Sequence, residues 1–128
     1  YNSHYVYKNS FIIGILNEKD KVIAATNILY TPKLNEVYLN GLVVISKYRG
    51  NNLSLKIIQY IQSKYKSILA ITMEKNTVGF PISHPSMAKI LKKTGFKIDN
   101  NYKTNNKPIN YYRRFKDDIV FTIWHWKR

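Results

Sequence analysis

The stretch from Glu36 to Ile61, EVYLNGLVVISKYRGNNLSLKIIQYI, constrains the fold more than any other. Val37 to Ile45 is β-branched and apolar with few interruptions, which predicts a strand buried on both faces. Ser46 to Asn52 is a polar turn with one glycine, and from Leu53 the apolar residues fall at Leu53, Ile57, Ile58 and Ile61, the spacing of one helix face. A strand that enters a helix through small polar residues delivers unpaired backbone N–H groups and the positive end of the helix dipole to one place. Such an end suits a phosphate or pyrophosphate. An ordinary capped connection accounts for the same pattern, so the anion site is an expectation that the rest of the chain must support.

The flanking sequence predicts a hairpin ahead of this stretch. Phe11 to Leu16 and Val22 to Tyr30 read as strands joined by the turn Asn17 to Asp20. After the helix, Ile68 to Met73 reads as a buried strand, parallel to the central one because a helix intervenes. Glu74 to Ser83 is a loop, and Ser83 a cap ahead of Pro85 for a helix over Ser86 to Thr94, with Met87, Ile90 and Leu91 inward and Gly95 as its stop. Phe96 to Ile98 begins another strand, Asn100 to Asn110 reads as a mobile loop, and Tyr111 to Phe115 and Ile119 to Trp126 read as strands around a turn at Lys116 to Asp118. The order predicts one α+β (mixed α/β) domain spanning the 128 residues. Because the first residue is Tyr1, an incomplete N-terminal part is allowed for.

Composition narrows the function classes. No apolar run is long enough to cross a bilayer, and no secretory signal is visible, so a cytoplasmic protein is expected, in the host cytoplasm if phage-encoded. The chain has no cysteine, which excludes disulfides, thiolate metal sites and cysteine nucleophiles. Its three histidines are scattered, and no metal site is expected. Twenty-one Lys and Arg against seven Asp and Glu give a formal charge of +14, which favours a polyanionic partner over a small cofactor alone. A lysine-rich solubility surface is the plainer explanation. Basic and aromatic residues interleave late in the chain, at Lys92, Lys93, Lys97, Lys103, Lys107 and YYRRF. Lys92, Lys93, Tyr111, Tyr112, Arg113 and Arg114 are therefore candidate nucleic-acid contacts, against the alternative of a strand with alternating faces.

The order of elements and two motifs resemble the GCN5-related N-acetyltransferases (GNAT). In that family a strand leads into R/Q-x-x-G-x-G/A at a helix start, and a later helix closes on Gly-Phe. Here the strand is LVVI, the loop is RGNNLS, and MAKILKKTGF ends on Gly95 and Phe96. The resemblance implies a central mixed sheet with flanking helices and an acyl-CoA cosubstrate, acetyl-CoA or a related thioester. It implies that Val43, Val44 and Ile45 face the pantetheine arm and that Arg49, Gly50, Asn51, Asn52, Leu53 and Ser54 hold the phosphates. Asn52 and Ser54 replace the family's glycines; Asn tolerates left-handed backbone angles, and Ser54 needs none if it is already helical.

The family's tyrosine acid, four residues before Gly-Phe, is Leu91 here, so that assignment does not transfer. Amine acyl transfer still needs a base and a proton donor. Glu36 and Glu74 lie at strand ends and His84 at a helix start, each with a plain alternative as a solvated charge or a cap. A narrower resemblance is to the phage Mom-like branch, which modifies adenines in phage DNA: His4 and Tyr5 look like its His-Tyr pair, LVVISKYRGNNLS like its strand and loop, and SHPSM like its Ser-x-Pro segment, while Gly41 stands where an arginine is frequent. The candidate catalytic residues are Tyr5, Glu74 and His84, with Tyr111 or Tyr112 as a displaced acid. The reading is an acyl-CoA-dependent N-acyltransferase, monomeric or homodimeric, acting on an amine within or carried by a nucleic acid. The alternatives are transfer to a small amine or a protein N-terminus or lysine, and a degenerate fold kept as a nucleic-acid binder.

Overall fold

The computed structural model describes residues 10–31, 35–104 and 106–128. Six strands form one mixed sheet in the order β1-β2-β3-β4-β6-β5, an α+β architecture of the GNAT type. Along the chain these are β1 (Ser10–Leu16), β2 (Val22–Thr31), β3 (Glu36–Val44), α1 (Leu53–Lys64), β4 (Ser67–Asn76), α2 (Pro85–Lys93), β5 (Lys97–Ile98), α3 (Lys107–Arg113) and β6 (Ile119–Lys127), with a 3-10 turn at Ser46–Tyr48. The chain divides into two compact units, Tyr1–Ile68 and Leu69–Arg128. No described helix is long and apolar enough to cross a membrane.

In the first unit β1 and β2 form the expected hairpin. Asn17 Oδ1 accepts from the N–H groups of Lys19 and Lys21, which fixes the turn, and Asp20 takes a φ of 60°. β2 then pairs antiparallel with β3. α1 packs across β1, β2 and β3. Its buried face is Leu53, Ile57, Ile58 and Ile61, as the spacing predicts, and each such side chain contributes roughly 1.5–3 kcal/mol. Tyr65, just past α1, meets the rings of Phe11 and Tyr30 at 6.4 and 5.4 Å, tying the helix end to both hairpin strands.

β3 departs from the expectation of a strand buried throughout. Glu36 to Leu39 are buried on both faces, but from Asn40 onward burial is partial, and Val43 is 65% exposed. The change falls at a bulge. Thr26 pairs with Leu42 and Asn27 with Asn40, which leaves Gly41 as the extra residue, at a φ of +91°. The Thr26 hydroxyl donates to the Gly41 carbonyl at 2.6 Å and holds the bulge. The half-strand beyond it, Leu42 to Val44, feeds the turn before α1.

In the second unit α2 ends as predicted: Gly95 has a φ of +94°, and the Phe96 N–H donates to the Leu91 carbonyl at 3.0 Å. Leu91 is fully buried, whereas Met87 and Ile90 are only half-buried. Two expectations are corrected. The cap of α2 is His84, whose Nδ1 accepts from the Ser86 N–H at 3.1 Å, and not Ser83. Ser83 is engaged on β4, where its hydroxyl accepts the Met73 N–H and its own N–H donates to the Met73 carbonyl, both at 2.9 Å. The second correction is α3: the segment read as a loop followed by a strand is a helix, Lys107–Arg113, capped by Asn106 with proline in its first turn. Ile109, fully buried, anchors it, and burial of that side chain outweighs the weak strand signal of the YYRRF alternation.

Candidate functional site

The turn between β3 and α1 is built by backbone conformations that few residues adopt. Gly50 has a φ of +87°, and Asn52 sits at φ 57°, ψ 29° in the left-handed region. An added Cβ at Gly50 meets nothing within 4 Å, so the loop is open there. Asn51 donates from Nδ2 to the Tyr48 carbonyl at 2.9 Å, and Arg49 from Nε to the Val44 carbonyl at 3.3 Å. Both contacts fold the loop back toward β3. Asn52 thus serves the left-handed role that glycine fills in the family motif, and Ser54 is an ordinary helical residue in the first turn of α1.

That first turn has the makings of an anion site. No side chain caps it, and it holds no acidic residue. Its N–H groups therefore point out of the helix with the positive end of the dipole and no carboxylate to compensate them. Leu53 is buried and fixes the helix start to the core, while Gly50, Asn51 and Asn52 are exposed. Val43 and Ile45, at 65% and 48% exposure, place apolar surface beside the loop, with Val44 half-buried between them. The donor set fits a diphosphate and the apolar edge fits an alkyl amide arm, which together are the chemistry of coenzyme A. The signal for the bulge that precedes it was present in the sequence, as a lone glycine inside a strand.

The candidate bases separate sharply. Glu36 is 2% exposed and accepts from the Ser67 hydroxyl at 3.0 Å. It stands at the start of the 9-residue β3, with the turn into α1 at the far end, roughly 25 Å away at the usual strand rise. It is a core carboxylate, and the expectation that it acts as a base is withdrawn. Glu74 is exposed near the end of β4, and its Oε1 accepts from the hydroxyls of Thr72 at 2.7 Å and Thr122 at 2.9 Å. His84 is exposed and committed through Nδ1 to capping α2, with Ser86 Oγ also at 2.8 Å. Tyr5 and His4 lie outside the described residues. His125 stacks on Tyr102 with centroids 4.2 Å apart. Among the described residues no group of three metal-ligating side chains occurs.

The late basic-aromatic segment is engaged in structure. Tyr111, Tyr112 and Phe115 all pack edge-on against Phe80, at 6.2, 5.0 and 5.5 Å between centroids. Arg113 donates to the Tyr102 carbonyl at 2.6 Å and to Asn110 Oδ1 at 3.2 Å, which ties α3 to the loop before it. Tyr112 and Arg113 therefore hold α3 in place and are not a stacking platform. Lys92, Lys93 and Arg114 are exposed at helix ends, where cations suit the dipole, and Tyr111 is 49% exposed.

No protein-family model matches the chain, and no curated protein matches it. Solved structures do. A candidate streptothricin acetyltransferase from Bacillus anthracis, in complex with acetyl coenzyme A, is similar over 98% of this chain and 67% of its own, with a TM-score of 0.64 and 18% identity. An N-acetyltransferase of a ribosomal-protein alanine from Escherichia coli matches over 95% of this chain and 71% of its own, with a TM-score of 0.64 and 11% identity. A spermidine N-acetyltransferase chimera from Vibrio cholerae matches over 99% and 74%, with a TM-score of 0.63 and 9% identity. At these identities the likeness establishes the fold. It lends no support to the resemblance to the DNA-modifying Mom-like branch.

Proposed function

We propose that the chain is an acyl-CoA-dependent N-acetyltransferase whose acceptor is a small amine or a protein N-terminus. The observation that carries this reading is the start of α1, which has no side-chain cap, no acid in its first turn, and a left-handed Asn52 ahead of it. In this reading the backbone N–H groups from Gly50 to Ser54 hold the diphosphate, Arg49 adds a cation beside it, and Val43, Val44 and Ile45 flank the pantetheine arm. The bound cosubstrate supplies an acyl group activated as a thioester. The fold shared with structures named for spermidine, streptothricin and an N-terminal alanine supports an amine acceptor of that size. The nucleic-acid-borne acceptor that the charge favours gives way to it, since Tyr112 and Arg113 are spent on packing α3.

On the protein side, Glu74 is the candidate base and Leu91 supplies no acid, being fully buried and apolar. The His84 imidazole works first as a helix cap. Thiol release from acetyl-CoA, followed with a panel of polyamines, amino-terminal peptides, tRNA and duplex DNA, tests the reading. Turnover with at least one free amine or peptide above the acceptor-free rate is expected. Turnover only with nucleic acid sinks the choice of acceptor, and none with any acceptor sinks the transferase.

A further inference from the structure

Glu74 and Thr72 are two residues apart on β4 and so project from the same face of the sheet. Thr122 and Trp124 on β6 meet them there. Thr72 contacts Trp124 and Glu74 contacts Thr122, so the two strands run in opposite directions. The Trp124 indole N–H, a donor only, donates to Thr72 Oγ1 at 2.9 Å. The Thr72 hydroxyl then gives its own hydrogen to Glu74 Oε1 at 2.7 Å, and Thr122 donates to that same oxygen at 2.9 Å. Trp124 and Thr72 are 6% and 3% exposed, whereas Glu74 is exposed. The direction of every hydrogen bond is thereby fixed from the core outward, and one carboxylate oxygen is tied down by two donors.

Hydrogen bonds to an ionised acceptor are stronger than those between neutral groups, so this relay holds Glu74 in one orientation. Among the described residues no hydrogen bond or ion pair reaches Oε2. A strand-end carboxylate kept only for solubility needs no buried relay, least of all in a chain of formal charge +14. We infer that Glu74 binds and deprotonates the acceptor ammonium through Oε2, with Thr72, Thr122 and Trp124 as its positioning residues, and that the acceptor is a short cationic amine.

The inference rests on the acetyl-transfer reading above. In the step it describes, the ammonium gives one proton to Glu74, and the freed nitrogen pair forms the C–N bond to the acyl carbon. The C–S bond breaks with its electron pair leaving on sulfur, which takes a proton from solvent, and the second proton of the nitrogen is lost as the amide forms. A phosphate adjacent to the reacting amine is repelled by the fixed carboxylate, which sets the acceptor class apart from nucleic acids.

The test measures calorimetric binding of 1,4-diaminobutane and of coenzyme A separately, and then turnover, for the wild type, Glu74→Gln, Thr122→Val, Thr122→Ser and Trp124→Phe. Diamine affinity is expected to fall at least tenfold in Glu74→Gln and several-fold in Thr122→Val, with Thr122→Ser close to the wild type and coenzyme A affinity unchanged throughout. Turnover by Glu74→Gln is expected to fall about 100-fold or more, the range for loss of a general base. In Thr122→Val, kcat falls while the KM for acetyl-CoA does not move. A wild type that does not bind the diamine, a Glu74→Gln variant that binds and turns over normally, or Thr122→Val and Trp124→Phe variants identical to the wild type overturns the inference. Diamine binding that depends on Glu74 in a protein that binds no coenzyme A overturns the transferase reading but leaves the ammonium site standing.

Discussion

Asn52 shows how one side chain replaces a glycine. Its φ of 57° lies in the region that asparagine visits more readily than other non-glycine residues. Asn52→Ala is expected to destabilise the fold by about 1–2 kcal/mol, while Asn52→Gly stays near the wild type; urea unfolding separates the two. Tyr65 gives a prediction in pH. Burial first, and the neighbouring phenols of Tyr30 and Tyr60 after it, raise its pKa above the ordinary value of 10.0. A phenol whose folded-state pKa is raised contributes stability that is present below the unfolded value and lost as pH rises through the folded one. Stability should therefore fall above pH 10 more steeply in the wild type than in Tyr65→Phe, as followed by circular dichroism in alkaline buffers. At this scale the sequence was legible where a residue type has few conformational uses, as at Asn52, Gly95 and Leu91. It was not legible at Glu36, because nothing local tells a buried carboxylate bound to Ser67 from a solvated one.

Among the elements, those with strong apolar periodicity were readable and those set by a single capping residue were not. The buried face of α1 followed directly from the spacing of Leu53, Ile57, Ile58 and Ile61. α3 was missed because its seven residues carry one fully buried anchor, Ile109, and because Asn106 and Pro108 look like loop residues unless read as cap and first turn. Two substitutions test that account. Ile109→Ala is expected to cost about 2–5 kcal/mol and Asn106→Ala about 0.5–2 kcal/mol in denaturant unfolding. Equal and negligible effects would mean that α3 does not depend on these residues. The bulge at Gly41 was likewise signalled only by a glycine within a strand. Its consequence, a β3 that is open past Asn40, is what leaves apolar surface beside the anion loop.

At the scale of the molecule, the formal charge of +14 acts on any anionic ligand, and coenzyme A is one. Its affinity is expected to weaken steadily as salt rises from about 50 to 500 mM, because exposed charges more than a Debye length from the ligand are progressively screened. The charge overstated the case for a nucleic acid, since composition counts cations such as Arg113 that the fold uses internally. The central claim is that α1 begins at an acyl-CoA site. Calorimetric titration of coenzyme A into the wild type and into Ser54→Glu tests it most directly, because a carboxylate in the first turn stabilises the helix while repelling a diphosphate. The account predicts saturable one-to-one binding by the wild type, and loss of that binding by a Ser54→Glu protein whose thermal stability is equal or higher. A wild type that binds no coenzyme A, or a Ser54→Glu protein that binds it equally well, contradicts the claim.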